Sequence, residues 1–146
     1  ICMPYKGKFR PENPSKYVGD PTNIVYRSLW ERRFMVFLDT NKAVAEWGSE
    51  EIVVPYKSPV DGRMRRYYPD FVVRYNNKDG QVETRLIEVK PSDQCKPPKK
   101  RERVTKAYIN EVTRWGMNSA KWEAAKQYAK SRGWKFQILT EKELFT

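Results

Sequence analysis

Extended runs separated by turn signals fill the middle of the chain, and they restrict its fold more than any other feature. Residues 44–47 and 51–56 read as short strands separated by Gly48-Ser49. Pro59-Val60-Asp61-Gly62 reads as a turn, since Asp-Gly between extended runs favours a hairpin. Residues 65–75 follow as a second strand, residues 76–80 as another turn, and residues 82–90 as a third strand. Three hairpin-linked strands predict an antiparallel meander.

Helices flank these strands. Ser28 with Glu31 three residues later fits a capping box, and Trp30, Phe34, Phe37 and Leu38 recur at helical spacing, so a helix is expected from Ser28 to about Asp39. Pro91, Pro97 and Pro98 stop the sheet and open a stretch rich in lysine and arginine. Beyond it, residues 101–115 have helical character and residues 119–132 form a better helix, with Ser119 as its cap and Gly133 placed to terminate it. Residues 135–140 read as a last strand. The expected fold is α/β: a three-strand meander plus a later strand in one mixed sheet, flanked by helices, in a single domain over residues 26–146. Residues 1–25 contain Pro4, Pro11, Pro14 and Pro21 among Lys6, Lys8, Arg10 and Lys16, and read as an extended basic arm that wraps the domain or a partner.

Composition then removes whole classes of chemistry. A chain of 146 residues can bury a core without disulfides, and Cys2 and Cys95 form neither a disulfide framework nor a zinc pattern. There is no histidine, so Ser-His-Asp and Cys-His mechanisms lack their base, and histidine-ligated zinc or iron sites lack their ligands. A catalytic metal would need oxygen ligands, which points to Mg2+ or Mn2+. Apolar runs fall far short of the roughly 20 residues that span a bilayer, and no stretch has the order of a secretory signal, so a soluble intracellular protein without membrane partners is expected. Lysine and arginine number 29 against 18 acidic residues, a formal charge of +11 that favours nucleic acid as partner.

The strand Leu86-Ile87-Glu88-Val89-Lys90 puts Glu88 and Lys90 on one face, with Ile87 and Val89 on the other. Tyr68-Pro69-Asp70 lies on the preceding strand, so hairpin pairing would bring Asp70 beside Glu88. Two such carboxylates are best satisfied by a divalent cation, and Lys90 could orient water or stabilise charge growing on a phosphate. The same residues also fit a solvated sheet face carrying cross-strand ion pairs. Arg63, Arg65 and Arg66 precede this cluster, and Lys96, Lys99, Lys100 and Arg101 follow it, where DNA phosphates would pass. Tyr68 is the better of the tyrosine pair for touching substrate, because alternate residues share a face. The five tryptophans sit mainly at apolar positions and read as core. Nothing reads individual bases, so recognition of DNA shape, junctions or ends is expected.

Pro69-Asp70 followed by Glu88-Val89-Lys90, in this order of helices and strands, resembles the PD-(D/E)xK signature of restriction-endonuclease-like nucleases. Lys135-Phe136-Gln137-Ile138-Leu139-Thr140-Glu141 is similar to the closing strand of the transposon-end-cutting branch. Tyr26-Arg27-Ser28-Leu29-Trp30-Glu31, Ala45-Glu46-Trp47-Gly48-Ser49-Glu50 and Arg65-Arg66-Tyr67-Tyr68-Pro69-Asp70 resemble head-completion nucleases of large tailed phages. The resemblance implies Asp70 and Glu88 as metal ligands, the Val89 carbonyl as a third, Lys90 as the catalytic lysine and Glu31 as an accessory carboxylate, a position its capping role explains equally. It further implies a Mg2+-dependent DNA endonuclease acting in the host cytoplasm or virion, with capsid portal or neck proteins as partners. A non-enzymatic DNA-binding virion component that keeps the nuclease fold is the alternative, and an RNA-processing nuclease would use the same cluster.

Overall fold

The computed structural model describes residues 4–144. In chain order these form β1 (Pro4–Phe9), β2 (Ile24–Ser28), α1 (Leu29–Thr40), β3 (Val44–Ser49), β4 (Val54–Lys57), β5 (Met64–Tyr67), β6 (Phe71–Asn76), β7 (Val82–Val89), α2 (Lys106–Ser131), β8 (Lys135–Leu139) and α3 (Glu141–Leu144). Helix α1 starts where its capping residues put it: the Glu31 amide donates to the Ser28 hydroxyl at 3.1 Å, and the Glu31 carboxylate reaches back to the Arg27 amide at 3.0 Å.

The main sheet has the order β3-β6-β7-β8, antiparallel except for the final β7–β8 pair, which is parallel. It is the expected mixed sheet. Both of its faces are covered. Phe71, Val73, Ile87, Val89 and Leu139 point to α1, meeting Phe34, Met35, Leu38 and the fully buried Trp47. Val72 and Leu86 point the other way, to Trp122, Ala125 and Ala129 of α2. The strict alternation of strand side chains divides the core into these two layers.

Two expectations need correction. The run 65–75 is two strands, because the chain leaves the ladder at Tyr68-Pro69-Asp70, where proline offers no amide to a neighbouring strand. Strand β5 pairs instead with β4 as a separate two-stranded hairpin, closed through Gly62 at φ 70°, so the central meander is β3-β6-β7. The helices expected over 101–115 and 119–132 are one helix of 26 residues, capped by Thr105 and not by Ser119. Gly116 costs it helical stability, but Trp115 and Trp122, packed edge to face at 6.0 Å, anchor both sides of that glycine to the same layer. Gly133, at φ 72°, follows the helix end as expected.

The N-terminal arm packs with the domain. Strand β1 pairs antiparallel with β2, and Phe9, Tyr17 and Ile24 lie in the same core as α1. Proline permits this because Pro4 opens an edge strand, while Pro11, Pro14 and Pro21 fall outside the strands. The buried carboxylate of Asp39 accepts hydrogen bonds from the Glu12 and Asn13 amides at 2.8 and 3.1 Å. The Lys16 ammonium donates to the Asp39 and Asn41 carbonyls at the end of α1. The arm is thus tied down by specific polar contacts as well as by burial. Cys95 is a free thiol, Cys2 lies outside the described residues, and among the described residues no helix is long and apolar enough to cross a membrane.

A Cβ added at Gly116 meets nothing within 4 Å. Gly116→Ala should therefore stabilise the protein by about 0.5–1 kcal/mol in chemical denaturation. Destabilisation would show that α2 does not run unbroken through this position.

Candidate active site

Phe71 pairs with Ile87 across the antiparallel β6–β7 ladder, and one step along that register brings Asp70 level with Glu88. The Asp70 carboxylate accepts a hydrogen bond from the Val89 amide at 2.8 Å, while its backbone carbonyl accepts from the Glu50 amide at 3.1 Å. Asp70 therefore continues the ladder with its side chain where the backbone has left it. Glu88 lies on the α2 face of β7 and is buried. Its Oε1 accepts from the Tyr67 hydroxyl at 2.6 Å, and its Oε2 is 3.9 Å from the Lys90 ammonium. The Lys90 amide donates to the Leu139 carbonyl, so β8 holds the end of the strand in place.

This arrangement resists negative charge. Burial raises the pKa of Asp70 well above the usual carboxylate range, and the charges of Glu88 and Glu31 raise it further against the Val89 amide and Lys90. Burial also raises Glu88, opposed by the Tyr67 hydrogen bond, by Lys90 and by Lys121 of α2. Glu31 is raised by burial first, then by Glu50 and Glu88. Burial and the nearby carboxylates keep the Tyr67 phenol protonated, hence a donor.

Two adjacent carboxylates that both resist ionisation, even with the Lys90 and Lys121 ammonium groups acting on Glu88, are a site short of positive charge. A divalent cation fits that donor set. Among the described residues no three His, Cys, Asp or Glu side chains are arranged to hold an ion.

Asp70, Glu88, Val89 and Lys90 converge, and Glu31 stands within electrostatic reach of Asp70 and Glu88 while also serving as the α1 capping residue. Tyr68 is exposed and Tyr67 faces the carboxylates, which reverses the expectation from alternation. The alternation fails because residues 67 and 70 lie on opposite sides of the break at Pro69. Arg63, Arg65 and Arg66 are exposed on the β4–β5 hairpin, with Arg65 paired to Asp61. Lys96, Lys99, Lys100 and Arg101 are exposed on the connection leading to α2.

Three contributors escaped sequence reasoning. Tyr67 could have been found by taking Pro69 as a strand terminator. Lys121, whose ammonium lies 5.9 and 5.8 Å from the Tyr56 and Tyr67 ring centres, has no local signal. Glu50, at φ 54° and held by Arg27 through two 3.1 Å contacts, has none either.

Because folding raises the proton affinity of Asp70 and Glu88, their contribution to stability is present below the ordinary carboxylate range and is lost as pH rises through the raised values. Asp70→Asn keeps an acceptor for the Val89 amide and removes one charge. In EDTA at pH 7 it should stabilise the protein by on the order of 1 kcal/mol, read from thermal or urea unfolding. A destabilised variant would contradict the repulsion assigned to this pair.

Comparison with known proteins shows the family. The profile described as "TnsA-like endonuclease N terminal" matches residues 41–141, which include Asp70, Glu88 and Lys90. A relative named "Head completion nuclease", from Enterobacteria phage T4, is 43% identical over 143 residues, covering 95% of this chain and 93% of its own. Profile and relative together show that the chain belongs to the restriction-endonuclease-like family of TnsA-like N-terminal endonuclease domains.

Proposed function

We propose that this protein is a metal-dependent DNA endonuclease that processes DNA at the filled capsid during phage head completion. The observation that carries the reading is the Asp70–Glu88 pair, half-buried at Asp70 and buried at Glu88, with both carboxylates resisting ionisation beside Lys90. The 43% identity to a head completion nuclease supports the biological setting: the host cytoplasm and the virion, with portal or neck proteins as candidate partners.

Asp70 and Glu88 would hold Mg2+, with Mn2+ able to substitute and the Val89 carbonyl as third donor. The cation would supply Lewis acidity at the scissile phosphate. Lys90 orients the attacking water or stabilises charge on the phosphate, since its ammonium lies at the Glu88 edge of the pair. Glu31 adds a carboxylate able to orient water from the first turn of α1. Arg63, Arg65, Arg66 and Tyr68 on one side, and Lys96, Lys99, Lys100 and Arg101 on the other, offer exposed contacts to DNA.

Plasmid DNA should be nicked or cut in Mg2+ or Mn2+ and left intact in EDTA. Asp70→Asn and Lys90→Ala should each lower the rate roughly a hundredfold or more while DNA binding in EDTA persists. Full cleavage by Asp70→Asn protein would refute the assignment. Cleavage of RNA in place of DNA would redirect it. Inert wild-type protein across DNA forms, with normal head assembly by a Glu88→Ala phage, would favour a structural role.

The exposed arginines give a separate expectation. Arg63→Ala with Arg66→Ala should reduce the slope of log affinity against log salt by up to about 0.9 per lost phosphate contact. An unchanged slope would place the DNA path elsewhere.

A further inference from the structure

The β4–β5 hairpin is not part of the main sheet, yet its last residue reaches the centre of the site. Tyr67 is buried, and its hydroxyl meets Glu88 Oε1 at 2.6 Å. Apolar packing with the neighbouring Val54, Tyr56 and Val72 needs only the ring and not the hydroxyl. The ring itself is held tightly, by the ladder contact of Tyr67 with Val54 and by the Lys121 ammonium 5.8 Å from its centre. The hydroxyl is therefore a fixed donor.

A glutamate carboxylate turns easily about its terminal torsion, which has broad, nearly two-fold preferences. At Glu88 the two oxygens are made unequal: Oε1 is taken by Tyr67, and Oε2 is left on the Lys90 side. We propose that Tyr67 is a positioning residue, whose hydroxyl locks the Glu88 carboxylate so that Oε2 is the oxygen presented to a divalent cation. The inference rests on the metal-site reading given above. It also makes the hairpin bearing the exposed Arg63, Arg65 and Arg66 the element that holds a metal ligand in place. Outer partners of this kind orient ligands and sharpen metal affinity.

The test is Tyr67→Phe, which keeps the ring and removes the hydroxyl, compared with wild type and Asp70→Asn in Mn2+ titrations followed by electron paramagnetic resonance. Tyr67→Phe should weaken Mn2+ binding and lower kcat by about tenfold or more, with KM for DNA and DNA affinity in EDTA unchanged. In a Glu88→Gln background the same change should have no further effect on Mn2+ binding. Wild-type Mn2+ affinity and kcat in Tyr67→Phe, alongside loss of binding in Asp70→Asn, would overturn the positioning role alone. Joint loss of folding, DNA affinity and Mn2+ binding would overturn it too, by assigning the hydroxyl to the core. Wild-type protein that binds no Mn2+ would remove the metal site and this inference with it.

Discussion

The hydrogen bond from the Val89 amide to the Asp70 carboxylate joins the fold to the site. Antiparallel pairing of β6 with β7 delivers the two strands in register, but the ladder stops at Phe71–Ile87 because Pro69 has no amide to give. Asp70 replaces the missing backbone partner with its side chain. One contact therefore extends the pairing, occupies one carboxylate oxygen, and sets Asp70 level with Glu88. The closeness of the two carboxylates, and the raised proton affinity of both, follow from that geometry and its burial.

Burial on both sheet faces gives the arrangement its strength. A Glu-x-Lys strand on a solvated sheet would keep ordinary carboxylates screened by water. Here Trp122 of α2 packs over Leu86, so Glu88 is desolvated and its neighbours act on it through a medium that screens poorly. The opposite face is sealed by α1 with the N-terminal strand pair, which Asp39 pins through the Glu12 and Asn13 amides. The acidic cluster is held in place by apolar packing on both sides, so the repulsion within it is tolerated by the fold.

Much of this was legible before any coordinates. The Ser28–Glu31 cap, the placement of Glu88 and Lys90 on one face, and a closing strand near residue 135 rest on short-range rules of spacing and capping. Where several weak local signals competed, reading them separately misled. Ser119, read as a cap, suggested a helix break, but Trp115 and Trp122 on either side of it pack into one layer and keep the helix continuous. Proline density in the N-terminal arm suggested an extended segment, and which residues of it pair was not readable: the prolines avoid the paired positions except Pro4 at the start of an edge strand. Treating 65–75 as one strand carried alternation through Pro69 and put Tyr68 where Tyr67 belongs.

The amino-acid order by itself determined the donor chemistry. With no histidine and no cysteine cluster, and with Asp70, Glu88 and Lys90 at strand spacing, only oxygen donors and an ammonium were on offer. Tertiary structure alone decided their environment. That Glu88 is buried beneath α2, that Lys121 and Tyr67 arrive from elements 33 and 21 residues away, and that Asp70 accepts from Val89 depend on packing between distant segments. Side-chain identity is a property of the chain, whereas desolvation and charge proximity exist only once separate elements have closed around the same point.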